Sequence, residues 1–168
     1  MKAGTNLEKV LESGRFAVTA EAGPPKGTSA AVMQRKGELL RHCCDAANVT
    51  DNQTAIVRMS SLAGCVLLKQ QGVDPVMQIV CRDRNRIAIQ SDVLGAIALG
   101  IGNILCLSGD HQMFGNHPTA KNVFDIDSIQ LIQTLKSMRE EKKFICGDDI
   151  SGEVPLFIEA VANPYADP

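Results

Sequence analysis

No surplus of basic residues marks this chain. Its 168 residues carry 17 Lys and Arg against 19 Asp and Glu, a net charge of -2. With no basic stripe either, a general nucleic-acid binder is excluded. No apolar run approaches the roughly 18 residues needed to cross a bilayer, so no membrane span is expected. Residues 1–11 lack the apolar core of a secretory signal, which makes a cytoplasmic location the expectation. Six cysteines are present, but no two have CxxC spacing, and several sit inside apolar segments. That pattern fits reduced core thiols better than a disulfide frame, and no metal site is expected.

What is present is an alternation. Hydrophobic residues make up 45% of the chain, enough for one domain over residues 1–168. Strand-like segments occur at 16–21, 46–50, 75–81, 103–107 and 156–161. Helical periodicity fills 29–44, 54–71 and 86–99, and resumes after Asp125 and Asp127, either of which can cap it. The helix at 86–99 is apolar around much of its circumference and is expected to be well buried. Residues 111–122, rich in Gly, Asn, His and Pro, read as a loop.

Strands alternating with helices imply parallel pairing through right-handed crossovers. A doubly wound sheet and a (β/α)8 TIM barrel both satisfy that pattern. No GxGxxG opens a helix after a strand, because Gly100-Ile101-Gly102 leads into a strand, and no GxxxxGK[ST] occurs. The barrel is therefore favoured. Since such barrels take about 250 residues, the chain is expected to supply the first five strands, with the C-terminal strands absent.

Polar residues cluster where these strands stop. Glu21 follows an apolar run and precedes the rigid Gly23-Pro24-Pro25 turn. Thr50, Asp51 and Asn52 end the second strand, Arg82 and Asp83 the third, Ser108, Gly109 and Asp110 the fourth, and Asn163 the fifth. In a barrel these positions converge on one mouth. Two carboxylates on one cavity, Glu21 and Asp110, can divide the work: one donates a proton, the other orients a ligand. Gly109 would let a flat ring approach the backbone. Taken singly, an aspartate after a strand more often caps a helix or fixes a turn.

Val18-Thr19-Ala20-Glu21-Ala22-Gly23-Pro24-Pro25-Lys26 resembles the first-strand motif of the methylenetetrahydrofolate reductase family. Similar matches are Val80-Cys81-Arg82-Asp83-Arg84-Asn85, the run from Leu99 through Ser108-Gly109-Asp110, Val123-Phe124-Asp125-Ile126-Asp127-Ser128, and Ala160-Val161-Ala162-Asn163-Pro164. They arrive in the family's order and span almost the whole chain; the wording is most similar to the anaerobic-bacterial branch.

The resemblance implies a flavoprotein oxidoreductase of one-carbon metabolism. It would carry FAD in preference to FMN, use NAD(P)H as donor, and reduce methylenetetrahydrofolate to methyltetrahydrofolate, which feeds methionine synthesis. It implies Glu21 as general acid and Asp110 as the carboxylate near flavin and pterin. Flavin contacts are implied at Thr50, Asp51, Gln53, Gln78, Ser108, Gly109, Asp125 and Asn163. Gln78 stands where some members carry His, and Asn163 where others carry Tyr. Some anaerobic relatives work with a redox partner subunit, so a homo-oligomer or such a partner is compatible with the resemblance. In the family the segment after the fifth strand grips the flavin phosphates. The expectation is thus either a partial sequence or a barrel completed by a second polypeptide, and the competing reading is a non-catalytic or incomplete barrel subunit. A different barrel enzyme acting on a pterin or a small carbonyl compound is the third.

Overall fold

The computed structural model describes residues 1–163 and Tyr165. Strands β1 (Thr19–Glu21), β2 (Ala46–Val49), β3 (Pro75–Val80), β4 (Asn103–Leu107) and β5 (Phe157–Ala160) form one sheet in sequential order. All four pairings are parallel. Helices α2 (Ala30–Leu40), α3 (Ser61–Gln70), α4 (Arg86–Ala98) and α5 (Ser128–Glu140) connect them.

Side-chain alternation along parallel strands sorts the core into two faces. Ala47, Val49, Met77, Ile79, Ile104 and Cys106 cluster with Met33, Leu68, Ile89, Val93, Leu131, Leu135 and Met138 from the four helices. The opposite face holds a smaller cluster of Leu7, Ala46 and Val76, with Ala17, Leu105 and Phe157 against it. A doubly wound sheet would reverse its strand order and carry helices on both faces. Unbroken order with α2–α5 on one face is the first part of a (β/α)8 barrel.

Several boundaries differ from expectation. β1 is shorter, and Phe16 is 90% exposed, because this edge strand has a neighbour on one side only. The helix expected from residue 54 begins at Ser61, with the Ser60 hydroxyl accepting from the Ala63 N–H. Before it, Gln53–Ala55 makes a single 3-10 turn. Ile87 is 74% exposed, so α4 is not buried all round. Asp127, not Asp125, caps α5, in a reciprocal capping box with Gln130. Of the cysteines, Cys65, Cys81 and Cys106 are buried, while Cys43 and Cys146 are exposed.

An unexpected helix, α1 (Asn6–Glu12), covers the amino-terminal end of the sheet, with Leu7 packed against Ala46 and Val76. Thr5 caps it, and the buried Glu8 carboxylate accepts from the Ala3 and Gly4 N–H groups at 2.9 and 2.6 Å, and from that of Lys2. Burial pulls the Glu8 pKa up, but these donors outweigh it and leave the pKa lowered.

On the inner face the register sets Glu159 beside Leu105. Its Oε1 is buried without a partner among the described residues. Burial, with Asp74 adding repulsion, pushes its carboxyl from 4.5 up to about 7. Because the folded state holds this proton more tightly, the contribution of Glu159 to stability is fully present below about pH 4.5 and is lost as pH rises through 7. Glu159→Gln removes this loss. We expect melting curves of variant and wild type to coincide near pH 4.5 and the variant to be roughly 1–3 kcal/mol more stable at pH 8, after discounting for partial exposure.

Candidate active site

A cavity of about 330 Å3 opens at the carboxyl ends of the strands. Glu21 enters it from β1, where it pairs in register with Asn48. Gln78 and Val80 line it from β3, and Leu107, Ser108, Gly109 and Asp110 from the end of β4. Thr50, Asp51, Asn52, Gln53 and Arg82 complete the lining. Glu21 and Asp110 therefore share one cavity. Its volume lies at the small end of ligand sites, and its lining is mostly polar, with Val80 and Leu107 the apolar side chains.

The loop after β2 is strained. Asn52, Thr54 and Ala55 all have left-handed backbones, with φ of 43°, 57° and 55°. Non-glycine residues hold such angles only where their surroundings impose them. Here Asp110 Oδ2 accepts from the Thr54 N–H at 3.1 Å, Asn52 Oδ1 from the Arg58 N–H at 3.0 Å, and Asn116 Oδ1 from the Val57 N–H at 3.1 Å. Gly115 presses on the same turn; a Cβ there would stand 1.8 Å from the Ala55 carbonyl oxygen. Gly109 has φ of 95°, and a Cβ on it would lie 3.0 Å from Val80 Cβ. Backbone geometry and packing against β3 thus require this glycine, apart from any ring approaching it.

The expected site residues divide. Thr50, Gln53, Gln78, Ser108, Gly109, Asp110 and Glu21 come together. Asp51 lines the cavity, but its side chain is fully buried and spoken for: Oδ2 accepts from the Val80 N–H at 3.0 Å and from Arg84 Nη1 at 2.6 Å, and Oδ1 accepts from Arg84 Nη2 at 3.2 Å. Ser108 Oγ bonds to Ser128 Oγ at 3.2 Å and accepts from the Ser128 N–H, tying the cavity to α5. Asp125 does not line the cavity. Arg86 grips it through Nε at 2.7 Å and Nη2 at 2.8 Å, and these bonds hold its carboxyl at about 2. Asn163 is exposed beyond β5, outside the lining, where its Oδ1 accepts from the Tyr165 N–H. Arg82, which the sequence showed only as a strand-end polar residue, is a buried part of the wall. The sequence signal was a cation directly after the apolar run of β3.

Asp83 lies behind the wall, paired with Arg82 at 2.7 Å. Burial raises its pKa, but hydrogen bonds from Arg82 and Asn52 prevail and hold the carboxyl below the usual range. Among the described residues no helix is long and apolar enough to cross a membrane.

A parallel β/α sheet with all crossover helices outside and a polar cavity at its carboxyl mouth defines the class, a β/α-barrel protein with an enzyme-type site. A family model described as methylenetetrahydrofolate reductase matches residues 6–160, so the chain belongs to the methylenetetrahydrofolate reductase family. Membership implies reduction of methylenetetrahydrofolate in one-carbon metabolism. A search of the curated proteins finds no match.

Proposed function

We propose that the cavity takes the isoalloxazine of an FAD and, against it, the pterin of methylenetetrahydrofolate, with NAD(P)H as electron donor. The observation that carries this reading is the convergence of Glu21 and Asp110 on one cavity. The lining fits such a group. Val80 and Leu107 offer apolar surface to a flat ring. The Thr50 hydroxyl in this lining is buried without a partner among the described residues and suits the polar edge of a heterocycle. When bound, the flavin accepts and returns the hydride. The chain's own residues do the rest. Glu21 donates a proton to a folate nitrogen, so that the five-membered ring opens to an electrophilic iminium. Asp110 accepts a hydrogen bond from the substrate and fixes its orientation.

The test is spectroscopic. The assembled protein should purify yellow, bleach anaerobically with NADH or NADPH, and regain colour on adding methylenetetrahydrofolate, with methyltetrahydrofolate as product. A folded, assembled protein that takes up no flavin overturns the proposal. The partner-dependent reading also has an observation behind it. β1 and β5 each hydrogen-bond to one neighbour in the described sheet, and open strand edges invite further strands. In that case the colour appears only in the complex.

A further inference from the structure

Arg82 follows β3 and lies between the loops that leave β2 and β4. Its side chain is 3% exposed. Nη1 donates to the Asp110 carbonyl at 2.9 Å and Nη2 to the Asn52 carbonyl at 3.2 Å. Nε and Nη2 also hold the two oxygens of Asp83 at 2.7 Å each. Asp83 is the ion-pair partner of the guanidinium, and Asp51 and Asp110 add to the negative field around it. The two carbonyl bonds add something else, a planar fork that joins both lips of the cavity at fixed separation.

The fork closes a ring of contacts. Asn52 Nδ2 returns to Asp83 Oδ2 at 3.2 Å, and the Thr54 N–H from the strained turn reaches Asp110 Oδ2 at 3.1 Å. Asp110 is thereby held twice, at its main-chain carbonyl and at one carboxylate oxygen. Among the described residues Oδ1 has no such partner and is left to a ligand.

We propose that Arg82 is a positioning residue for Asp110, setting where that free carboxylate oxygen meets the folate. This rests on the reading of the cavity as a folate-reducing site. Lysine at this position keeps the charge but loses the fork.

The experiment is Arg82→Lys in the assembled, flavin-loaded protein, alone and combined with Asp110→Asn, with the two half-reactions measured separately. Flavin content and the rate of flavin reduction by the donor should stay within about threefold of wild type, while the folate half-reaction falls about 10- to 100-fold, as a misplaced contact group costs. In the Asp110→Asn background the same change should cost less than about threefold, because residues acting as a unit are not additive. An unchanged folate half-reaction in Arg82→Lys, a parallel fall of both half-reactions, or full additivity with Asp110→Asn overturns the positioning role. Wild-type protein that does not turn over methylenetetrahydrofolate removes the underlying reading and this proposal with it. If Arg82→Lys does not accumulate in flavin-loaded form, Asp83→Asn, which loosens the grip on the guanidinium, must show the same split at about three- to tenfold amplitude. Wild-type kinetics in Asp83→Asn then overturn the proposal.

Discussion

Under the proposed chemistry Glu21→Gln should lower the folate half-reaction by about 10²- to 10⁴-fold, the range that a positioned proton donor contributes, and should leave flavin reduction by the donor within a few-fold of wild type. The asymmetry comes from where the proton is needed. Opening the folate ring requires a proton on nitrogen, whereas hydride transfer from a nicotinamide to the flavin does not use Glu21. Glutamine keeps the shape and can still donate a hydrogen bond, but it cannot transfer a proton. Glu21 is exposed to the cavity from the short edge strand β1, so the substitution should leave the melting temperature within about a degree. Rapid-mixing measurements of the two half-reactions decide the matter. If the folate step slows less than threefold, or if both steps slow equally, Glu21 is not the acid.

Much of the fold was legible because the central strands are buried on both faces. β3 and β4 fall at Pro75–Val80 and Asn103–Leu107, close to the expected spans, since continuous apolar runs leave little choice. Errors gathered where local pattern competed with tertiary bonds. Residues 54–60 carry helical periodicity, yet Asp110 and Asn116 capture the Thr54 and Val57 N–H groups, and the helix starts only at the Ser60 cap. α1 escaped notice although its signal was present. Thr5 and Glu8 have capping-box spacing, and the Thr5 hydroxyl does accept from the Glu8 N–H at 3.3 Å.

The site was legible in position but not in orientation. Strand ends converge in any β/α barrel, so Glu21, Thr50 and Asp110 could be placed together without coordinates, whereas Gln78, inside β3, came only from the family resemblance. Which side of the strand each carboxylate faces depends on partners distant in sequence. Asp51 turns to Arg84, 33 residues on, and Asp125 turns back to Arg86, 39 residues earlier. Neither partnership has a local signature. The same holds for Arg82, whose two carbonyl acceptors lie 30 and 28 residues away.

Asp51 carries the second large effect, and it separates structure from ligand binding. Its side chain is fully buried, and it answers both the Val80 N–H and the guanidinium of Arg84, itself 20% exposed. Burial depresses the Arg84 pKa, yet Asp51, with Asp92 and Asp83 adding to it, more than compensates and leaves it raised. Asp51→Ala therefore strands the Val80 N–H and leaves the Arg84 guanidinium only its Nε ion pair with Asp92 at 2.9 Å, at a cost of about 2–4 kcal/mol. For a chain of this size that is a fall in melting temperature of roughly 4–16 °C. Combining Asp51→Ala with Arg84→Met should recover a large part of the loss, since removing both charges costs less than orphaning one. Asp51→Asn keeps an acceptor for the Val80 N–H and should fall between wild type and Asp51→Ala. Because the carboxylate is consumed inside the wall, flavin affinity in Asp51→Asn should change only as far as stability does. Loss of flavin from Asp51→Asn at an unchanged melting temperature would show that this carboxylate touches the cofactor directly, and the assignment of its side chain to the wall would fall.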